Sequence, residues 1–492
     1  MNDYCIPKKS KINPTFHKII PYFATLIKTM KILLYISSIF LLISSLSLNS
    51  CKKDTFASIG NLEFSVDTLI FDTVFTTVGS TTQQFKIYNP ENKILKIDEI
   101  ELMGGTNSPF RMNVDGLKGT KLTDIEIPAK DSLFVFVEVT LSVNNQSLPL
   151  IVEDSIRFKT NGKNQYVNLA VWGQDAYFHY KDLNEGVWLA DKPHVVFDYA
   201  AVDSAKSLTI QAGAHIHFHK NSILFVYKGE IHVNGTKDNE VIFEGDRLES
   251  FYEDVAGQWY GIYLQEALPS TINYAIIKNG TAGIHTFSAN PSNPSYTLEI
   301  TNTKILNHAS YGVFLYAGSK IKMENSLLAK NVRNSFFVLE GGSFNINHCN
   351  ILGYGDSKDQ NIAFAVKNYF TQDGITNVGQ VLEGKIYNSV IYGTQADEIA
   401  FDTLNPENQV TLNFDIKNCL IKKETISTNS MFQQIFWNTN PSFDDTELND
   451  FHFPNSSILN GNAAPSIPSI ILDLDGISRS LSIPDIGCYE LN

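Results

Sequence analysis

The sequence predicts an all-β protein in two parts, a small β-sandwich followed by a long solenoid of strands. Three observations point there. Phe and Tyr are abundant, with 32 and 21 copies, as suits pleated, half-buried surfaces. No long stretch shows a helical apolar stripe. A six-residue pattern recurs through the second half at steps that fit one solenoid coil.

The chain begins with a segment of another kind. Met30-Lys31 is followed by an apolar run over 32–48 and then Asn49-Ser50-Cys51. A basic start, a short apolar stretch and small residues predict a cleaved export signal over 30–50. Leu48-Asn49-Ser50-Cys51 resembles a bacterial lipobox, with Asn49 its less usual member. The resemblance implies lipidation of Cys51, which would become residue one and anchor the chain to a membrane. Residues 1–29 then read as an extension ahead of the true start at Met30. A signal-anchor helix over 19–48 is disfavoured, because Lys28 and Lys31 would each cost about 3 kcal/mol inside a span. Residues 51–60 form the expected tether.

The charge narrows the partners. Lys and Arg number 38 against 52 Asp and Glu, a formal net charge of −14. Residues 1–50 hold six of the basic residues and one acidic one, so the remainder is more acidic still. Such a chain gains nothing from releasing counterions of a phosphate backbone, which argues against nucleic acid. After Cys51 only Cys349, Cys419 and Cys488 remain. Three cysteines make no disulfide framework, and Cys349 and Cys419 read as small core residues.

Residues 61–175 read as the sandwich. Short alternating segments such as Gln84-Phe85-Lys86-Ile87-Tyr88-Asn89 and Leu133-Phe134-Val135-Phe136-Val137 are separated by turn signals at Gly104-Gly105, Pro128-Ala129-Lys130-Asp131 and Asn161-Gly162. Their spacing suits an immunoglobulin-type sandwich. The series from Gly79 through Phe85, Ile87 and Asn89 to Ile127-Pro128-Ala129 resembles immunoglobulin-like modules of ciliary and bacterial surface proteins. Nothing catalytic groups here, so a spacer or binding module is expected.

Residues 207–425 carry the repeat. Ile300-Thr301-Asn302-Thr303-Lys304-Ile305, Met323-Glu324-Asn325-Ser326-Leu327-Leu328 and Ile416-Lys417-Asn418-Cys419-Leu420-Ile421 read apolar, any, Asn, small, any, apolar. Windows centred on Tyr274, His348 and Asn388 follow the same rule. Steps of 28, 23, 23, 40 and 30 residues separate the third positions. Longer steps predict loop insertions between coils of strands. A recurring Asn can stack its amide on the coil above, and a small residue follows where the chain turns inward. The pattern resembles the right-handed parallel β-helix, the pectin-lyase-like fold, over most of 200–425. Leu208-Thr209-Ile210 to Phe218 resembles the opening coils of β-helix surface proteins. Gly257-Gln258-Trp259-Tyr260-Gly261-Ile262 is similar to a motif of Bacteroidetes-type lipoproteins. Pro484-Asp485-Ile486-Gly487-Cys488-Tyr489-Glu490 resembles the ending of many such chains, with Cys488 in place of the more usual Ala. Asp-Ser/Thr triplets such as Asp67-Thr68-Leu69 resemble O-glycosylation acceptors of the same lineage. The expected fold class is thus an immunoglobulin-like β-sandwich followed by a right-handed parallel β-helix. Residues 176–206, with Trp188, are the expected first cap and 426–492 the last. The resemblance implies a lipid-anchored protein of a Gram-negative outer membrane or cell surface.

Candidate chemistry is sparse. His215, His217 and His219 alternate with Ile216 and Phe218, so a strand would place the imidazoles on one face. His-x-His on a strand can ligate zinc, but no Cys or well-spaced carboxylate completes the set in sequence. The plain alternative is a His-rich solvent face. Tyr252, Trp259 and Tyr260 stand near Glu253 and Asp254, a grouping that suits a sugar ring, although Trp259 can equally fill a coil. Lyases and hydrolases on this fold need converging carboxylates with a base. Asp444-Asp445 lies in the expected cap, and Asp356, Lys358 and Asp359 read as a solvated loop. The expectation is a non-catalytic module for glycan or protein binding, without cofactor. The alternatives are a polysaccharide lyase or hydrolase, with calcium or zinc, and a purely structural envelope component.

Overall fold

The computed structural model describes residues 56–57, 60–142, 150–290, 292–355 and 362–491. Cys51, the export signal and the Asp356–Lys358–Asp359 loop lie outside the described residues. No α-helix occurs among the described residues, only three short 3-10 turns.

Two five-stranded sheets form the N-terminal sandwich. Inward residues of Gln83–Tyr88, Phe110–Val114 and Ser132–Val139 meet those of Leu95–Leu102, Leu150–Thr160 and Lys163–Gln174. Phe85, Ile97, Val137 and Phe158 are at most 1% exposed, so alternation in sequence becomes one shared core. Thr68–Phe75 pairs in parallel with Lys163–Gln174, joining the first and last long strands. Asn89 ties a corner, its amide 2.9 Å from the carbonyls of Lys93, Ile127 and Pro128.

The rest is a right-handed parallel β-helix with three strand faces. Sheet A runs through Ile223–Tyr227, Gly261–Gln265, Ala282–Phe287, Tyr311–Tyr316, Asn334–Leu339, Phe364–Lys367 and Ile399–Asp402. Sheet B runs from His215–Phe218 and Val241–Gly245 through Ala275–Lys278 to Phe436–Trp437. Sheet C runs from Gly186–Trp188 to Phe432–Gln433. On sheet C, Ile210, Val233, Ile272, Ile300, Met323, Ile346, Ile386 and Ile416 stack in register. All are fully buried. At roughly 25 cal/mol per Å² of apolar surface removed from water, such columns supply the main stabilisation.

The six-residue pattern has a backbone cause. Tyr274, Asn302, Asn325, His348, Asn388 and Asn418 all have φ between 46° and 53°. Each sits at the corner between sheets C and B, where the chain adopts the left-handed conformation that Asn tolerates best. The amide stack is present where Asn recurs: Asn325 donates to Asn302 at 2.6 Å, and Asn302 to Asn273 at 2.9 Å. The small residue that follows is buried. Thr303, Ser326 and Ser389 each donate to the carbonyl two residues back, at 2.8, 2.8 and 2.6 Å. The same oxygens accept backbone N–H groups of the preceding coil, from Ala275, Thr303 and Cys349. Cys349 and Cys419 place Sγ in that slot, and burial pushes both thiols up to about 12. Cys349, Cys419 and Cys488 are free and buried.

The ends differ from the expected caps. Tyr177–Leu183 pairs in parallel with His194–Val202, and Gly186–Trp188 with Ser207–Gln211, so coils already stack ahead of 207. Trp188 fills that coil, stacked on His179 and His194 at 4.4 and 4.7 Å. At the other end, Phe432–Gln433 and Phe436–Trp437 extend the solenoid. Residues 441–491 do not close the last coil. They run back along the outer face of sheet B, where Phe451, Phe453, Ile486, Cys488 and Tyr489 cover Leu327, Ala329, Leu352, Val390 and Leu420. The 40-residue step holds an antiparallel hairpin, Tyr369–Gln372 with Ile375–Val378.

Candidate functional site

Sheet A carries a column of aromatic side chains on its outer surface. Phe225, Tyr263, His285, Phe314 and Phe337 occupy one register position on five successive coils. Neighbouring ring centroids are 5.4, 4.2, 4.8 and 5.7 Å apart. Coil spacing of about 4.8 Å brings rings at one register into stacking range. Tyr311 stacks beside Phe314 and Phe337, and Phe287 and Tyr316 form a shorter second column at 5.5 Å. All are half-buried. Ala201 is the rung before Phe225 and Ala365 the rung after Phe337. At the Ala201 end lies a hollow of about 540 Å³ lined by Leu183, Tyr199, Phe225, Tyr227, Tyr263 and Asp203.

His285 is the polar member of the column. Its Nδ1 lies 2.9 Å from the Tyr260 hydroxyl, and its Nε2 is buried without a hydrogen-bond partner. Burial pushes this imidazole down to about 4, so it stays neutral inside the aromatic stack.

Sheet C presents the opposite chemistry. Its outward column reads Thr209, His232, Thr271, Glu299, Lys322, Asn345, Lys385 and Asp415. Ion pairs such as Lys322–Glu324 at 3.1 Å and Lys417–Asp415 at 2.8 Å neutralise it locally.

The three aromatic candidates separate. Trp259 is fully buried, stacked on Phe218 at 4.0 Å with its indole N–H donating to Lys278 O at 2.9 Å. It fills its coil and offers no face to a ligand, which corrects its reading as a binding residue. The Tyr252 ring is covered by the Arg247 guanidinium, 3.9 Å from its centroid. Tyr260 belongs to the column through its bond to His285. The column's outward residues alternate with buried ones in every strand, Leu, Val or Ile except for Thr286 beside His285 and Phe336 beside Phe337. The signal was one aromatic per coil at a constant offset from the core residues.

The histidines lie on sheet B at the seam with the sandwich. Ile216 and Phe218 enter the core. His215 and His217 come together with Glu244 of the next coil, their ligand atoms all within 4.8 Å of one another. Register places His217 opposite Glu244. His217 is only 4% exposed because Phe75 of the sandwich covers it, ring centroids 5.0 Å apart. Burial holds its imidazole below the usual range. Lys278 Nζ lies 3.1 Å from Glu244 Oε2. His219 stands apart, its Nδ1 2.7 Å from Asp246. The sequence showed the His-x-His half, whereas Glu244 is one coil away and was not legible. A cleft of about 550 Å³ opens beside the group, lined also by Asp72, Thr73 and Gln174 of the sandwich.

These features define a right-handed β-helix protein with an aromatic outer face. Residues 179–352 match the family model described as right handed beta helix region. No curated protein matches the sequence. Among solved structures, the chain is similar to a family 123 glycoside hydrolase from Clostridium perfringens, described for glycolipid glycan hydrolysis, at 6% identity and a TM-score of 0.17. That match covers 23% of this chain and 26% of the hydrolase, so this chain spans about a quarter of it. At that score it carries no argument.

Proposed function

We propose that this protein is an envelope-anchored, non-catalytic β-helix lipoprotein that presents sheet A to a glycan. The aromatic column is the observation that supports this reading. Rings stacked along the axis turn their weakly positive edges outward, toward sugar oxygens, and the end rung above Ala201 leaves the Phe225 face open to a sugar's C–H surface. The solenoid holds these rings on a rigid frame, so little side-chain entropy is lost on binding. In this reading Cys51 carries the lipid, the immunoglobulin-like sandwich is the spacer, and the acidic charge keeps nucleic acid away.

The test is retention of the purified protein on a panel of uronate-containing and neutral polysaccharides, with unsaturated products and reducing ends followed in parallel. Retention by at least one glycan is expected, weakened in Phe225→Ala and Tyr263→Ala and unaccompanied by product. Absence of retention across the panel, or retention indifferent to both substitutions, would sink the reading. One observation favours a second reading, a polysaccharide lyase or hydrolase. Glu244 meets His217 and Lys278 in the seam cleft, a carboxylate beside two bases. Product formation lost in Glu244→Gln would establish that alternative.

A further inference from the structure

We propose that His215, His217 and Glu244 bind a divalent transition cation, zinc foremost, at the seam between sandwich and solenoid. The donor set is two imidazoles and one carboxylate, which suits a borderline cation with one open position. Calcium would ask for six or more oxygens, and two of these three donors are nitrogens. The three donors already converge, their ligand atoms all within 4.8 Å of one another. Glu244 Oε1 is 3.7 Å from His217 Nδ1, which donates to the Gly245 carbonyl at 3.3 Å and would give up that proton to a cation. A tetrahedral site with bonds of about 2.1 Å has donor–donor edges of roughly 3.4 Å. Lys278 holds the other oxygen, Oε2, at 3.1 Å and so turns Oε1 toward the histidines.

The surroundings separate these donors from ordinary surface groups. His217 is fixed beneath Phe75 and in register with Glu244. His215 is exposed and lines the cleft. His219, the third histidine of the sequence motif, is taken by Asp246 at 2.7 Å and is no part of the site. The fourth position would face the cleft, which Asp72 of the sandwich also lines. The inference is independent of glycan binding, since sheet A is a separate face.

The test uses the purified protein after chelator treatment, titrated with Zn²⁺ against a chromophoric chelator and separately with Co²⁺. One equivalent of Zn²⁺ is expected, with the strong visible bands of four- or five-coordinate Co²⁺. His215→Ala and Glu244→Gln should each weaken binding by well over ~100-fold, more than loss of an outer-sphere partner costs. Because His215 is exposed, its replacement leaves the fold intact, which equal melting temperatures of the metal-free proteins would verify. His219→Ala should bind as the parent does. Failure to bind one equivalent, indifference to both ligand substitutions, or equal loss in His219→Ala would each overturn the proposal.

Discussion

Trp259 illustrates how much a single position depends on which way its strand turns it. Its indole lies flat on Phe218 inside the coil, with its N–H satisfied by Lys278 O. Trp259→Ala should cost roughly 3–5 kcal/mol, as large-to-small core changes do. Urea unfolding measures this, and a cost below 1 kcal/mol would mean that the coil collapses around the gap. The buried thiols make a second residue-level prediction. Cys349 and Cys419 are fully buried and pushed up to about 12, so alkylating reagents should leave both unlabelled in the native protein at neutral pH and label them after denaturation. Gly487 is a third fixed point. Its φ is 100°, and a Cβ there would meet Asn350 Oδ1 at 2.3 Å.

At the scale of elements, the C-terminal segment explains why some strands are apolar on both faces. Leu327-Leu328-Ala329, Val390-Ile391 and Leu420-Ile421 send alternate residues to the solenoid core and to the covering segment, and continuous apolar strands are the mark of sheets covered on both sides. The closing motif works as a clasp. Asp485 accepts N–H groups from Gly461 and Leu491, and Glu490 accepts from Ser480, Asp485 and Arg479. Arg479 also donates to Asn325 at 2.8 Å, back on the solenoid. Arg479 and Glu490 side chains are only 1% and 5% exposed. Glu490→Gln would leave a buried guanidinium short of its charge partner, at a cost of about 3–5 kcal/mol. Hydrogen exchange should rise across 473–491 and at Asn325 while the sandwich stays protected. Unchanged exchange in the segment would show that its apolar contacts suffice.

At the scale of the whole molecule, sheet B is covered at one end by the sandwich and along its length by the C-terminal segment. Sheets A and C keep partly exposed outward columns, one aromatic and one ionic. Buried histidines set the acid limit. Desolvation pushes His194, His285 and His308 down to about 4 and His348 to about 3. The unfolded chain, with imidazoles near 6.5, takes up protons first, so their contribution is complete above about pH 6.5 and fades toward pH 4. Glu398 opposes this. Burial raises it to about 7, and its contribution grows as pH falls from about 7 to 4.5. Burial also raises Asp473 and Asp485 and lowers His179 and His217, and six imidazoles against three carboxyls leave a net loss on acidification. Bonds to Asp475 and Asp450 raise His452 to about 9, so its contribution is complete below about pH 6.5 and is lost as pH rises through 9. Melting temperature should therefore fall from about pH 6.5 toward 4, and also as pH rises from about 6.5 to 9. A flat profile between pH 6.5 and 4 would contradict the burial of these imidazoles.

What could be read from the chain alone was whatever repeats locally. The alternation within strands, the left-handed corner that favours Asn, and the small buried residue after it are set by backbone sterics within a few residues. Those features led to the expectation of a sandwich over 61–175 and coils over 207–425, whereas paired solenoid strands run from Tyr177 to Trp437. Contacts between coils have no such local signature. The column Phe225–Tyr263–His285–Phe314–Phe337 exists because each strand stacks in register on the one before it, across separations that vary with loop length. Glu244 joins His215 and His217 for the same reason, one coil later. The fate of Trp259, and the path of 441–491 along sheet B rather than over the last coil, were likewise decided by which face had apolar surface left to bury.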